Sequence, residues 1–496
     1  MRMTLLGGAA LIALVPSTSL AQDQTTTSTE TVDTDTPIDS LEADDASKTA
    51  VKAPPPTGDP VLDKLNALAA RVESLEKRNA ELETQAAATE ARIQAGEVRN
   101  AKAVQTGSVV PTFADVGDKF TFKPRGTFEL DYAGYNARAG GYDYNNGTSI
   151  RRGRFGFDGT AFKVFKWRFE AEFVGQSANI LDAYVQYLPR RDWVITVGQH
   201  KAPAGLEANS SDNYNEFLER GMANTAFGAV GAERRIGISA TYISDKLNAQ
   251  IGVFGSPESV TRSTSADPDE GYGVNARIAW DPILDTGRLL HLGVSGWKAT
   301  NFATTVSTTV PPVTTVHGVR LSDRPNSRVD GGLIADSGTI SDVDDATFFG
   351  AEAAAVYGPF SVQGEYSHLH LNRDGFDNVN FDGFYVFGSV FLTGESRTFR
   401  NGLIERLKPT HDFGTGGPGA WELALRYDEI NLGNTPVGSR AKNDAHTWTA
   451  AVNWYLNGNT KVMFNFIRAN GTNTPLDPVG DKAKVDVLAT RLHFDF

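Results

Sequence analysis

Trp167-Arg168-Phe169-Glu170-Ala171-Glu172-Phe173 puts apolar residues on one parity and charged residues on the other. Successive side chains of an extended chain point to opposite faces, so a period of two marks a strand whose faces meet different surroundings. The pattern recurs at Ile236, Ile238, Ala240 and Tyr242, and at Tyr272, Val274, Ala276, Ile278 and Trp280. It returns at Trp421, Leu423, Leu425 and Tyr427, and at Trp448, Ala450, Val452 and Trp454, which Asn457-Gly458-Asn459 joins to Val462, Phe464 and Phe466. From Phe113 onward the chain reads as about sixteen such segments of roughly ten residues, the signature of a transmembrane β-barrel.

A soluble sandwich would show the same alternation with its charged face outward. The aromatic residues separate the two cases, because Trp167, Tyr187, Trp193, Trp280, Trp421, Tyr427 and Trp454 fall at the ends of apolar faces. Those are the positions of interfacial girdles. The last segment alternates through Leu492, Phe494 and Phe496, and a closed barrel must pair its last strand with its first. Phe496 is therefore expected to be a C-terminal insertion signal read by the barrel-assembly machinery. The expected fold class is all-β, a transmembrane antiparallel β-barrel of about sixteen strands over residues 113–496, preceded by an α-helical coiled coil.

The segment before the barrel is a different polymer: Phe113 is the first aromatic residue of the 496, and all 7 tryptophans lie at or beyond Trp167. Residues 1–21 read as a signal peptide, with Arg2, then Leu5, Leu6, Leu11, Ile12, Leu14 and Val15, then Ser19-Leu20-Ala21. Residues 22–60 are acidic, Thr-rich and end in Pro54-Pro55-Pro56, which predicts a disordered linker. Over 61–95, Leu65, Val72, Asn79 and Ala86 share one heptad position, and Val61, Leu68, Leu75 and Leu82 share its partner. Arg71 precedes Glu76 and Arg78 precedes Glu83 at the spacing that pairs charges between helices, which predicts an oligomeric coiled coil ending at Gly96.

Cysteine is 0, which excludes disulfides, thiolate metal sites and cysteine nucleophiles, and a net charge of -13 argues against a nucleic-acid partner. The formal G-x-G-x-x-G at Gly414, Gly416 and Gly419 contains Pro418 and leads into a strand, so it reads as a loop. His368 and His370 share a strand face where a girdle position outweighs a metal site, and Asp374, Asp377 and Asp382 lack calcium-loop spacing. No enzyme, metal or cofactor is expected. Chemistry should instead reside on the lumen face, where Arg152, Arg154, Arg168, Arg235, Arg277, Arg426, Lys461 and Arg491 fall as candidate pore-lining anion sites. Glu170, Glu172, Glu422 and Asp428 share that face and could neutralise them. Acidic groups outnumber basic ones beyond residue 113, so anion preference would have to come from geometry.

Several stretches resemble the phosphate-selective porin O and P family of Gram-negative outer membranes: R-R-G-R-F-G-F-D-G-T from Arg151, D-A-Y-V-Q-Y from Asp182, V-G-Q-H-K-A-P-A-G-L-E from Val197, S-S-D-N-Y-N-E-F-L-E-R from Ser210, L-T-G-E-S-R from Leu392, G-A-W-E-L-A-L-R-Y from Gly419 and N-W-Y-L-N from Asn453. The resemblance implies a homotrimeric porin whose constriction loop, from about Pro203 to Asn224, holds Glu207, Ser210, Ser211, Asp212, Glu219 and Arg220, with Lys201 at its start. Phosphate-selective members place a lysine beside the paired serines, where this chain has Asp212 and Asn213. The expected function is an outer-membrane porin passing small hydrophilic solutes, with small anions such as phosphate as partners beside the surrounding lipid, and with a periplasmic coiled coil. The alternatives are a general or cation-preferring diffusion porin, and a structural tether working through linker and coiled coil.

Overall fold

The computed structural model describes residues 58–105, 109–115, 117, 119–139, 142–175, 178–255, 271–300, 303–306, 314–435, 443–472 and 482–496. The expected signal peptide and nearly all of the linker lie outside them. The chain divides into two units, residues 1–94 and 95–496.

Helix α1 begins at Pro60 in the first unit, and its 44 residues run past the unit's boundary to Ala103. Asp59 starts it: its Oδ1 accepts from Val61 N at 2.9 Å, and proline fits the first helical position because its missing N–H would have had no partner there. The helix runs past the expected stop at Gly96. One glycine costs a helix only about 1 kcal/mol, too little by itself to end a run of good helix formers. The heptad residues Val61, Leu65, Leu68, Val72, Leu75 and Leu82 are all more than half exposed, so this chain alone leaves the apolar seam uncovered.

The second unit is a closed barrel. Its strands are β1 (Phe120–Ala139), β2 (Gly147–Ala161), β3 (Phe165–Glu172), β4 (Asn179–Arg190), β5 (Trp193–Lys201), β6 (Arg234–Ile243), β7 (Leu247–Phe254) and β8 (Gly273–Asp285). Then follow β9 (Arg288–Thr300), β10 (Val343–Tyr357), β11 (Phe360–Arg373), β12 (Val379–Phe391), β13 (Ala420–Leu432), β14 (Asn443–Asn457), β15 (Thr460–Gly471) and β16 (Ala483–Asp495). Each pairs antiparallel with the next, and β16 closes on β1 with Phe494 opposite Phe128 and Leu492 opposite Leu130. The Phe496 ring packs over Gly126, where an added Cβ would lie 2.6 Å from it. The apolar parity faces outward: Val274, Ile278, Trp280, Leu425, Trp448, Phe464 and Phe466 are exposed in strands whose alternate residues are buried, and Ile236 and Ile238 are exposed between half-buried and buried neighbours.

Connections at one end of the barrel are short, as at residues 162–164, 191–192, 286–287 and 458–459, and this is the turn end. The lumen is not an empty tube. The connection after β5 folds inward and carries α2 (Leu206–Asn209) and α3 (Met222–Gly231). The β9–β10 connection contributes paired strands Thr314–Asp323 and Ala335–Ser341, and residues 392–419 form a long insertion at the turn end. Met222, Phe227 and Val230 of α3 join Trp297, Phe348, Leu321, Leu369, Ile430 and Ile467 in one buried apolar cluster. On this side the inward parity is therefore apolar as well, because inserted loops rather than water meet it.

Candidate constriction and anion path

A loop buried inside a barrel must find partners for backbone groups that no helix or sheet satisfies. The segment Asn215–Glu219 solves this with side chains from the far wall. Lys461 Nζ donates to Asn215 O at 2.7 Å, Asn453 Nδ2 to Glu216 O at 2.8 Å, Arg491 Nη1 to Leu218 O at 2.5 Å and Arg426 Nη1 to Glu219 O at 2.9 Å. Helix α3 begins on a wall carboxylate: Met222 N donates to Asp428 Oδ2 at 3.0 Å, which places negative charge at the positive end of the helix. Glu207 Oε2 accepts from Gly221 N and Asn224 Nδ2, both at 2.9 Å, and so ties the two halves of the loop together. Gly221 is required by contact, since a Cβ would sit 2.9 Å from Tyr385 Cδ1.

Five of the basic residues expected to line the pore are buried: Arg277, Arg426, Lys461 and Arg491 are 0%, 0%, 4% and 2% exposed, and Arg152, on the other wall, is 5% exposed. Arg277 Nε donates to Glu352 Oε1 at 3.1 Å, and its Nη2 reaches Gly402 O of the turn-end insertion at 2.8 Å.

The opposite wall, β2 to β6, stays open. A cavity of 530 Å³ there is lined by Arg151, Arg152, Arg154, Lys201, Arg220, Arg234 and Arg235 against only Asp212 and Glu233. A second, of 430 Å³, shares Arg154, Lys201, Asp212 and Arg234 with it and adds Arg125, Arg168, Ser210 and Ser211, together with the carboxylates Glu170, Asp182 and Glu405. A third, of 620 Å³, continues to the turn end past Arg125, Arg406 and Lys408. Asp212 is held where the first two meet: Arg154 Nη1 is 3.0 Å away, Arg152 Nε 3.5 Å, and Arg220 pairs with it directly. Burial raises the Asp212 carboxyl, but Arg220, Arg152, Arg154 and Lys201 outweigh it and hold the group well below the usual carboxylate range. Glu219 is likewise held low despite burial, by Arg151 in a bidentate pair at 2.8 and 3.0 Å and by Arg491.

The other expected site residues fall around this core. Lys201 Nζ donates to Ser210 O at 2.6 Å and Ala208 O at 3.0 Å. Ser211 Oγ accepts from Asn213 N, and Ser210 Oγ accepts from Ile404 N of the turn-end insertion at 3.1 Å. Arg168 lies 5.9 Å from the Tyr184 ring centre on the cavity wall, and Arg235 Nη2 donates to Val230 O at 2.7 Å. Of the carboxylates weighed as neutralisers, Glu172 pairs with Arg154 at 2.9 Å and Glu170 with Arg125 at 2.8 Å.

Sequence reading missed Arg125, Arg151, Arg234, Arg328, Arg397 and Arg406. Arg151 was hidden by a bulge: Glu129 pairs with Arg152 but Leu130 with Ile150, so the extra residue sends both arginines to lumen carboxylates. Arg397 and Arg406 lie on the turn-end insertion, where no alternation exists; they pair with Glu216 and Asp495. Burial, with a further push from Glu422, lifts the Glu216 carboxyl to about 7 against the pull of Arg397. Burial likewise lifts Asp323 to about 7 against Arg328.

Gly414, Gly416 and Gly419 all take positive φ in a turn before β13. His368 Nδ1 contacts Asp382 and His370 Nδ1 contacts Asn380, each at 2.8 Å, and no metal-binding group of three ligating side chains occurs among the described residues.

The family described as phosphate-selective porin O and P matches residues 122–496. An uncharacterised protein of Caulobacter vibrioides is 29% identical over 390 residues, covering 77% of this chain and 75% of its own. Porin O of Pseudomonas aeruginosa is 27% identical over 417 residues, covering 77% and 90%. Among solved structures, an anion-selective porin from Comamonas acidovorans superposes with a TM-score of 0.49 at 14% identity, covering 76% of this chain and all of that one.

Proposed function

The chain belongs to the phosphate-selective porin O and P family and forms an outer-membrane channel, and from that premise we propose that it conducts small hydrophilic anions, phosphate among them, by diffusion. One observation carries the anion preference: the larger cavity at the constriction presents seven cationic side chains and two carboxylates. A cleft lined by one sign of charge between low-dielectric walls concentrates ions of the opposite sign. The wall arginines of the far side play no part in this reading, since they are committed to loop carbonyls. Planar-bilayer reversal potentials in a potassium chloride gradient test it. A potential on the chloride side is expected; one on the potassium side would favour the cation-preferring alternative governed by Glu207, Asp212 and Glu219.

The exposed seam of α1 supports a second element of the proposal, a homotrimer with a parallel coiled coil on the periplasmic side. Six large apolar residues on one helical stripe are covered by like stripes from two further copies. Deleting residues 61–95 should lower the temperature at which the oligomer dissociates in gels while leaving a conducting barrel. An unchanged dissociation temperature would give the seam another role, and loss of conductance would favour the structural-tether reading of the N-terminal region.

A further inference from the structure

Three guanidinium groups of the constriction converge on one carboxylate, although Arg154 also pairs with Glu172 at 2.9 Å and Arg152 with Glu129. Asp212 sits at the start of a single 3-10 turn, Asp212–Tyr214, at the tip of the inward loop. Its two oxygens meet the guanidinium groups of Arg220, Arg154 and Arg152, with Lys201 lining the same two cavities. Three guanidiniums around one carboxylate is how a protein coordinates a bound oxyanion, because their planar N–H pairs match the oxygen geometry. The cluster is not saturated either: Arg152 Nε and Arg220 Nε are buried without a hydrogen-bond partner.

We propose that Asp212 is a tethered counter-ion that occupies the tightest oxyanion site of the channel and thereby keeps passing anions from stopping there. The inference rests on the anion-conducting reading and deepens it. Conduction requires sites that attract an ion yet release it, and a ring of three guanidiniums left empty would retain a multivalent oxyanion. A carboxylate supplied by the loop fills that ring permanently. Solute anions then pass along Arg234, Arg168 and Arg125, which line the cavities beside it.

The test replaces Asp212 by its near-isostere in the full chain. In planar bilayers, inorganic phosphate is titrated against chloride current through wild type and Asp212→Asn. The variant should show half-block at a phosphate concentration at least tenfold lower than wild type, and phosphate should raise its thermal dissociation temperature relative to chloride at equal ionic strength. Equal phosphate dependence of both proteins would overturn the proposal. If Asp212→Asn does not fold, phosphate in the refolding mixture should restore it and Asp212→Ala alike, by supplying the missing anion; failure to rescue either would also overturn it. A wild type that prefers cations would sink the anion-conducting reading itself. An anion-preferring wild type with a phosphate-insensitive Asp212→Asn would sink only the tethered counter-ion.

Discussion

The two walls of the barrel carry the same residue type at the same strand parity and use it for opposite ends. On β8, β13, β15 and β16, Arg277, Arg426, Lys461 and Arg491 are sealed from solvent and joined to inserted segments. On β2, β3 and β6, the side chains of Arg154, Arg168 and Arg234 keep 11%, 31% and 19% of their surface and line open cavities. What separates them is where the loop lies. A cation that meets a buried carbonyl becomes structural, because removing it would strand a backbone group in a dry place. A cation that meets the cavity keeps part of its surface open to solutes even where it also pairs with a carboxylate, as Arg234 does with Asp182.

The sharpest way to break this contrast is Arg426→Met, which keeps bulk and removes the charge. Arg426 contacts Glu219 O, stacks 4.5 Å from the Phe217 ring centre and lies 3.7 Å from Glu207. Loss of one member of such a buried network should cost ~3–5 kcal/mol, read as a large fall in the temperature of heat-modified gel migration. A midpoint equal to wild type would mean the far wall is as dispensable as the near one. Arg234→Gln probes the other wall. It should move the reversal potential toward cations, because Asp182, now 2.7 Å from Arg234 Nε, loses its partner beside the path. The accompanying stability loss should be smaller than that of Arg426→Met, and the reverse ranking would erase the difference between the two walls.

The smallest effect is a titration. Glu216 and Asp323 are both lifted to about 7. Each is mostly ionised at pH 8 and mostly neutral at pH 6, so acidification removes up to two negative charges from the lumen segments and should raise anion preference. A reversal potential flat across pH 6–8 would show that neither carboxyl faces the conduction path.

Alternation made the barrel legible because each strand has one lipid face, and its outward residues such as Ile238, Ile278 and Leu425 need no knowledge of what lies inside. The interior is harder. Parity puts Trp297 and Phe348 inward without saying that α3 meets them there, and Arg426 inward without saying that Glu219 O does. The Arg151–Arg152 bulge defeats strict alternation, and the 392–419 insertion has no period to read. The sequence put Asp212 and Arg220 on one loop, but that they pair and that two wall arginines join them depended on a register set by distant strands.

The join between β1 and β16 has a consequence for how the molecule comes together. Arg491 meets Asp131 across 360 positions of the chain, and His493 meets Glu129 across 364. The entropy of closing so long a loop grows only logarithmically with length, but contacts this distant in sequence form slowly and are expected late. A slip of β16 by one residue at that join would turn Arg491 and His493 from the lumen into lipid. The ion pairs that bridge the two strands therefore favour this one alignment of the closing join over its neighbours.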